Sequence, residues 1–207
     1  MEKQGFKHMF NRAGICRIYR IVESSAESYA FHMKMRGSEG IMKTNYNQIW
    51  TRPDGYVIST GKAHLDIETI YQFLHHDSYW VKGISRLLVE KSVENSSLCY
   101  GIYQGNPTEN GEYKQVGFAR IVTDFVRYAW LGDVFVLPEH RGKGLSKWLM
   151  GIIVEHPYLK GVSFHLGTQD AHTLYQQFGF QLLANPENRL ARPLDMAVVS
   201  QAYEHKK

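Results

Sequence analysis

The six residues from Arg141 to Ser146 combine two glycines with two basic side chains, after an apolar run and before an amphipathic one. Gly142 and Gly144 lack a Cβ, so the backbone can bend sharply and a ligand can approach it closely. The first amides of a following helix have no intrahelical acceptor and carry partial positive charge. Lys143 and the arginine add full positive charges beside them. This combination predicts a phosphate-binding loop rather than an ordinary strand–helix junction.

Two widespread phosphate-binding motifs fit this stretch poorly. A Walker A loop needs four residues between its first glycine and a Gly-Lys-Ser/Thr sequence, which is absent here. A dinucleotide-binding fingerprint needs a third glycine where Lys147 stands, and it opens a parallel βαβ unit. The strands predicted upstream of the loop form an antiparallel meander instead.

Residues 141–146 (RGKGLS) resemble the pyrophosphate motif Gln/Arg-x-x-Gly-x-Gly/Ala of the GNAT superfamily, the acetyl-CoA-dependent N-acetyltransferases. Only Ser146, at the last position, departs from that motif. Residues 170–180 (DAHTLYQQFGF) resemble a second GNAT segment, Asn/Asp-Ala-x-x-Leu-Tyr-x-x-Phe-Gly-Phe. Both segments occur in order at the usual separation, and the resemblance extends over residues 56–183, including the order of the elements.

The resemblance implies that acetyl-CoA binds as co-substrate where two strands splay apart, here residues 130–136 and 162–166. The opened backbone before the loop would bind the pantetheine amides as an added strand does, and the loop amides would hold the pyrophosphate. A backbone N–H near Val136 would face the thioester carbonyl, where negative charge develops. The expected cofactor-binding residues are Val134, Phe135, Val136, Arg141, Gly142, Lys143, Gly144, Leu145, Ser146, Asp170, His172 and Tyr175.

Tyr175 matches the tyrosine that protonates the departing CoA thiolate in many members of the superfamily. A phenol has a reference pKa of about 10, so it arrives protonated and can donate to sulfur. The alternative is a purely structural aromatic, since Tyr175 shares an apolar helix face with Leu174 and Phe178.

Asp133 interrupts an apolar strand, where an unpaired carboxylate costs several kcal/mol. It either binds or deprotonates the acceptor amine, or it forms a structural pair, for instance with Arg120 on the neighbouring strand. Several related polyamine-type enzymes carry Glu-Asp at this place, and Gly132 stands where the glutamate would be. The identity of a general base therefore stays open.

The early helices and their connection build part of the acceptor pocket in this superfamily. Tyr79 and Trp80 lie in that connection, so we expect them to line the amine site together with Arg120 and Asp133. The neighbouring residues 75–77 (HHD) lack a second cluster at metal-ligand spacing, and we expect no metal site. His165 is interpreted as a strand histidine that faces the CoA cleft.

The hydrophobic periodicity and the short turns predict an α/β fold with a mixed sheet, in which two to three antiparallel strands precede a strand–helix–strand–helix–strand segment. The resemblance implies that this is the GNAT-like α+β fold, a mostly antiparallel central sheet with splayed fourth and fifth strands and flanking helices. A turn is predicted at residues 52–55 (RPDG), and helices are predicted over residues 67–74, 84–93, 145–153 and 171–178. The predicted strands are residues 56–59, 98–104, 115–124, 128–137 and 161–167, with a last strand beginning at residues 180–183.

The 207 residues are 43% hydrophobic, enough for one large core. Residues 1–53 carry nine lysines and arginines against four glutamates, whereas residues 54–207 carry fifteen against sixteen acids. We therefore predict a basic, partly disordered N-terminal extension at 1–53, including a strand-like segment at residues 18–22, and an N-acetyltransferase domain at 54–207. The basic extension could contact nucleic acid, but no recognised motif accompanies it, which favours a solvated arm.

No apolar run approaches the ~18 residues of a membrane helix, and the start of the chain lacks a signal-peptide pattern. With two cysteines, Cys16 and Cys99, we expect no disulfide framework and a cytoplasmic location. The predicted function is acetyl transfer to a primary amine of a small molecule or peptide, by direct attack in a ternary complex, because neither cysteine lies in the motifs. An acyl-CoA-binding regulatory or sensing module without turnover is the alternative, and a homodimer is left open.

Overall fold

Six strands form one sheet in the computed structural model, which describes residues 47–109 and 111–204. The strands lie in sequence order across the sheet, antiparallel except for the last pair, in which β6 runs parallel to β5. Their bounds are β1 Ile49–Thr51, β2 Tyr56–Ser59, β3 Leu98–Gln104, β4 Lys114–Thr123, β5 Tyr128–Val136 and β6 Ser163–His165.

Five helices complete the described part of the chain: α1 Ile67–Gln72, α2 Arg86–Asn95, α3 Leu145–Val154, α4 His172–Gln176 and α5 Met196–Glu204. Helix α1 begins at Asp66, whose carboxylate accepts the N–H groups of Glu68 and Thr69. It continues as a single π turn, Phe73–Asp77, which leads into the connection to α2. No helix among the described residues is long and apolar enough to cross a membrane.

Helices cover both faces of the sheet. On one face α3 and α4 enclose a core that includes Tyr100, Ile102 and Leu149. On the other face α1, α2 and α5 cover a second core, in which the rings of Phe73 and Phe135 stack with centroids 4.0 Å apart. Each fully buried side chain of this size contributes about 2 kcal/mol, so the two cores fix the sheet from both sides.

Pairing between β5 and β6 covers three rungs only, Tyr128 with Ser163, Ala129 with Phe164 and Trp130 with His165. Beyond the last rung β5 runs on to Val136, and within residues 47–109 and 111–204 no strand pairs with that edge. The fourth and fifth of the predicted strands therefore part as expected, and the predicted fold class is confirmed.

The prediction of a last strand at residues 180–183 is wrong. These residues have no regular secondary structure, and Leu182 is 75% exposed, so its apolar side chain does not pack as a sheet residue would. Gly179, with a φ of +85°, lies in the turn that follows α4. The apolar residues that follow had the composition of a strand but have no partner strand.

The sheet also begins earlier than expected, because β1 pairs with β2 through a turn at residues 52–55. Strand β1 therefore precedes the boundary predicted at residue 54. The strand predicted at residues 18–22, like most of the predicted extension, lies outside the described residues, and the two-part division stays a prediction.

Candidate active site

A β-bulge lies in the middle of β5, at the point where this strand has lost its β6 neighbour. Phe118 pairs with Phe135 and Arg120 with Gly132, so one residue of β4 lies opposite two of β5. One of those two is Asp133, whose φ of +54° is in the left-handed region that non-glycine residues seldom adopt. Such strain concentrates at functional sites, where it aims a side chain that a regular strand would direct elsewhere.

Asp133 is 8% exposed and both of its carboxylate oxygens are engaged. Trp80 Nε1 donates to Oδ1 at 2.9 Å, and Arg120 Nε donates to Oδ2 in an ion pair. The structural pairing with Arg120 that the sequence left as one alternative is therefore present. The sequence did not predict the bond from Trp80, because it joins residues 53 positions apart and depends on the bulge.

Tyr79 connects this group of side chains to the loop after β6, across the opening where β5 and β6 part. Its hydroxyl accepts the N–H of Gln169 at 2.9 Å and donates to Asp170 at 3.4 Å. The rings of Tyr79 and Trp80 meet edge to face, with centroids 4.9 Å apart. The α1–α2 connection thus contacts both the bulge of β5 and the loop that follows β6.

Tyr175 lies on α4 with its ring in the core and its hydroxyl free. It is 8% exposed and packs edge to face on Phe180, yet its oxygen has no hydrogen-bond partner in the described part of the chain. Burial, with smaller effects of Tyr79 and Asp170, raises the pKa of Tyr175 to about 12. The two readings of this residue are compatible, because the ring packs in the core while the protonated hydroxyl is available as a donor.

The loop at residues 141–146 presents backbone amides. Gly142 and Gly144 have φ values of +76° and +72°, and α3 begins without a side-chain cap. Trp148 makes the first helical bond, to the carbonyl of Gly144, and among the described residues none accepts from the amides of 142–147. A Cβ at Gly144 would meet nothing within 4 Å. Unpaired N–H groups beside a glycine with open space at its Cβ position suit the phosphates of CoA.

The two basic side chains of this loop make contacts behind it. Arg141 Nε donates to the carbonyl of Val136 at 3.0 Å, and Lys143 Nζ donates to the hydroxyl of Tyr56 at 2.9 Å. Lys143 therefore links the loop to Tyr56 on β2, while the outer guanidinium nitrogens of Arg141 stay available to a ligand.

Three residues that support the loop were not predicted as functional. Arg52, held by Asp54, donates from Nη2 to the carbonyl of Lys143 at 3.2 Å and lies over the ring of Trp148. Tyr56 accepts from Lys143, and its hydroxyl is hydrogen-bonded with His140 Nδ1 at 2.8 Å. Burial and Lys143 lower the pKa of His140, in keeping with an accepting, neutral ring. The sequence signal at Arg52 was read only as a turn.

The remaining candidates are distributed around the opening. Val134, Phe135 and Val136 lie on the part of β5 beyond its last rung with β6, as expected for a pantetheine-binding edge. Asp170 and His172 lie at the start of α4, on the loop side that Tyr79 contacts. His165 lies at the last rung before the strands part.

No metal cluster was expected at residues 75–77. His75 Nδ1 lies 2.8 Å from the carbonyl of Ile84, which makes it a structural contact between the two early helices. Within residues 47–109 and 111–204 there is no group of three His, Cys, Asp or Glu side chains that could hold a metal ion.

Known proteins are similar to this chain in sequence and in fold. A family model described as an acetyltransferase (GNAT) domain matches residues 95–182. A Gibberella zeae protein named as an acetyltransferase is 34% identical over 149 residues, which cover 65% of this chain and 83% of that protein. A Prochlorococcus marinus protein named as an N-acetyltransferase is 33% identical over 129 residues, covering 62% of this chain and 66% of that protein.

A crystal structure from Xanthomonas campestris, assigned to the GNAT family of acetyltransferases, is 41% identical with a TM-score of 0.60. The match covers 67% of this chain and 93% of that one. A Streptococcus pneumoniae GNAT-family structure shares the fold, with a TM-score of 0.51 at 19% identity, over 68% of this chain and 98% of that one. The chain belongs to the GNAT family of acetyltransferases, which confirms the predicted family. It is an enzyme of that class.

Proposed function

We propose that this enzyme transfers the acetyl group of acetyl-CoA to a primary amine by direct attack in a ternary complex. The observation that carries the proposal is one opening with three features. These are the unpaired edge of β5, the free amides at residues 142–147 and the free hydroxyl of Tyr175. Each feature would serve a different part of a thioester substrate.

Binding of acetyl-CoA follows from the unpaired backbone. The β5 edge at residues 134–136 would hydrogen-bond the pantetheine as an added strand. The amides of 142–147, at the positive end of α3, would hold the pyrophosphate. A backbone N–H near Val136 would meet the thioester oxygen as negative charge develops on it.

The chemical step needs a neutral amine, whose lone pair forms the new C–N bond as the C–S bond breaks. Tyr175 gives its proton to the departing thiolate. The nitrogen releases a proton in the same reaction, and that proton, passed through water, restores the phenol. The products are therefore the amide and free CoA thiol, with no net change at the enzyme.

Asp133 is proposed to receive a hydrogen bond from the attacking nitrogen and to take its first proton through water, and it then releases that proton to solvent so that the carboxylate is restored. Each carboxylate oxygen has two lone pairs, and Arg120 and Trp80 each occupy one of them. The aspartate can therefore accept an amine without releasing either partner.

Thiol release from acetyl-CoA, measured with a panel of amines, amino acids, polyamines and aminoglycosides, tests this function. We expect release to depend on at least one amine and an equivalent amount of acetylated amine to appear. Tight CoA binding without amine-dependent release across the panel would contradict the transfer reaction. Mass spectrometry of the product distinguishes N-acetylation from simple thioester hydrolysis.

A further inference from the structure

An open surface pocket of about 350 Å³ lies beside the first rungs of β5 and β6. Ala129 and Phe164 belong to the core under α3 and α4. Alternation along the strands therefore directs Tyr128, Ser163 and His165 to the opposite face of the sheet. We call this the donor pocket because hydrogen-bond donors line it. Its lining residues are Asp124, Arg127, Tyr128, Ser163, His165 and Arg189.

The hydrogen bonds inside the donor pocket fix where its protons lie. Arg189 Nη1 is 3.3 Å from His165 Nδ1, and a guanidinium can only donate, so Nδ1 accepts. The ring proton then lies on Nε2, which donates to Ser163 Oγ at 2.9 Å. Burial and Arg189 lower the pKa of His165, in agreement with this neutral ring. The hydroxyl hydrogen of Ser163 is left free to donate to a ligand.

The charges of the donor pocket are not balanced. Neither Arg127 nor Arg189 forms an ion pair with any carboxylate in the described part of the chain. Asp124 is the only acid in the lining, and its Oδ1 accepts three backbone amides of residues 126–128. Those bonds lower the pKa of Asp124 to about 2. The Arg127 guanidinium, the remaining nitrogens of Arg189 and one hydroxyl therefore offer donors that no acceptor among the described residues uses.

A stretch of β5 that we call the floor, residues 130–132, lies between the donor pocket and the bulge. Trp130 is 41% exposed on the same face as Tyr128, and Gly132 follows it without a side chain. A Cβ on Gly132 would lie 3.5 Å from Trp130 Nε1 and 3.7 Å from Arg120 Nη2. From Trp130 to Asp133 is three residues, or roughly 10 Å along a strand.

We propose that the donor pocket is an acceptor subsite for an anionic group, a phosphate or a carboxylate, carried roughly 10 Å or more from the reacting nitrogen. The inference rests on the proposed transfer reaction. Gly132 supplies no acid that would favour a polycationic acceptor, and Arg127 and Arg189 supply positive charge at the far end of the floor. The amine would approach Asp133 while its anionic group binds the two arginines.

Steady-state kinetics with three matched series of amines test this. The series are ω-aminoalkyl phosphates, ω-amino carboxylates and ω-amino alcohols over several chain lengths. We expect kcat/KM for one anionic series to exceed that of the alcohols about tenfold at its best length, which identifies the anion. Arg127→Ala and Arg189→Ala should each remove about fivefold of that preference, with the alcohols and the KM for acetyl-CoA unchanged. Arg189→Lys should keep part of it.

Arg192→Ala is the matched control, because Arg192 is an exposed arginine of the same C-terminal segment outside the pocket lining. Binding of inorganic phosphate gives a readout independent of turnover, and it should shift the amide resonances of Tyr128 and Ser163. Amines acetylated with no preference for an anion, or arginine variants that affect all acceptors alike, would overturn the subsite but leave the transfer reaction standing. If no amine is acetylated, the transfer reaction fails and the subsite with it.

Discussion

The candidate site has two halves, a phosphate-binding loop and an acceptor side, and one consists of backbone amides while the other consists of side chains. The loop at residues 141–146 is one contiguous segment that presents unpaired backbone amides to open space. The acceptor side joins Asp133, Arg120 and Trp80 from three distant segments, and their polar atoms are bonded to one another. In the proposed function, the backbone half binds the co-substrate and the side-chain half distinguishes one acceptor from another.

Backbone strain differs between the two halves in the same way. Gly144 adopts its positive φ freely, whereas Asp133 adopts +54° at a cost of about 1 to 2 kcal/mol. The bulge and the contacts with Arg120 and Trp80 offset that cost. The loop therefore forms with little conformational strain, whereas the conformation of Asp133 depends on its contacts with Arg120 and Trp80.

Gly144→Val should produce the largest effect, a loss of CoA affinity of about a hundredfold or more. The new side chain would occupy the space in front of the amides and would oppose a φ of +72°. Gly161→Val is the matched control, since Gly161 has a φ of +84° and open space around its Cβ position, away from the loop. Calorimetric titration with CoA measures both variants; equal affinities would show that the loop does not contact the phosphates.

Asp133→Asn tests whether the acceptor side depends on its internal pairing. Asparagine tolerates the same φ but leaves the Arg120 side chain, 21% exposed, without its counter-ion. We expect the free energy of unfolding in urea to fall by about 2 kcal/mol. Glu90→Gln, which breaks an exposed pair with Arg86, serves as control and should change nothing measurable. A loss no greater than that of the control would contradict the pairing.

Tyr175→Phe should lower turnover at least tenfold with CoA affinity nearly unchanged, because the ring stays in the core and only the proton donor is lost. Since the pKa of Tyr175 is about 12, the phenol stays protonated as the amine deprotonates. Wild-type turnover should therefore rise with pH and show no falling limb from Tyr175 below about pH 10. Unchanged turnover in the variant would remove Tyr175 from the mechanism.

Arg52→Ala should have the smallest effect, a rise of about fivefold in the KM for acetyl-CoA with kcat unchanged. The carbonyl of Lys143 loses its donor, so the loop is less preorganised for the phosphates. Asp54→Asn, which keeps the arginine but weakens its anchor, should give an intermediate value. A fall in kcat without a change in KM would assign Arg52 a role away from the loop.

The sequence predicted the features that lie within contiguous residues. The loop, the segment around Tyr175 and strand β3 are each specified by a local pattern. The contact between Trp80 and Asp133 could not be predicted from the sequence. It depends on a one-residue bulge that orients the aspartate, and no local sequence pattern indicates that bulge. Strand β1 has only three residues, too few for a period to show. Residues 180–183 were mistaken for a strand because apolar composition does not reveal whether a partner strand exists.

A titration of the isotopically labelled protein with CoA, followed by amide NMR, tests the central claim most directly. We expect the largest shifts at the amides of residues 142–147 and along residues 134–136, with smaller changes at Tyr175. Saturation with the largest shifts elsewhere, and the loop amides unmoved, would contradict the account.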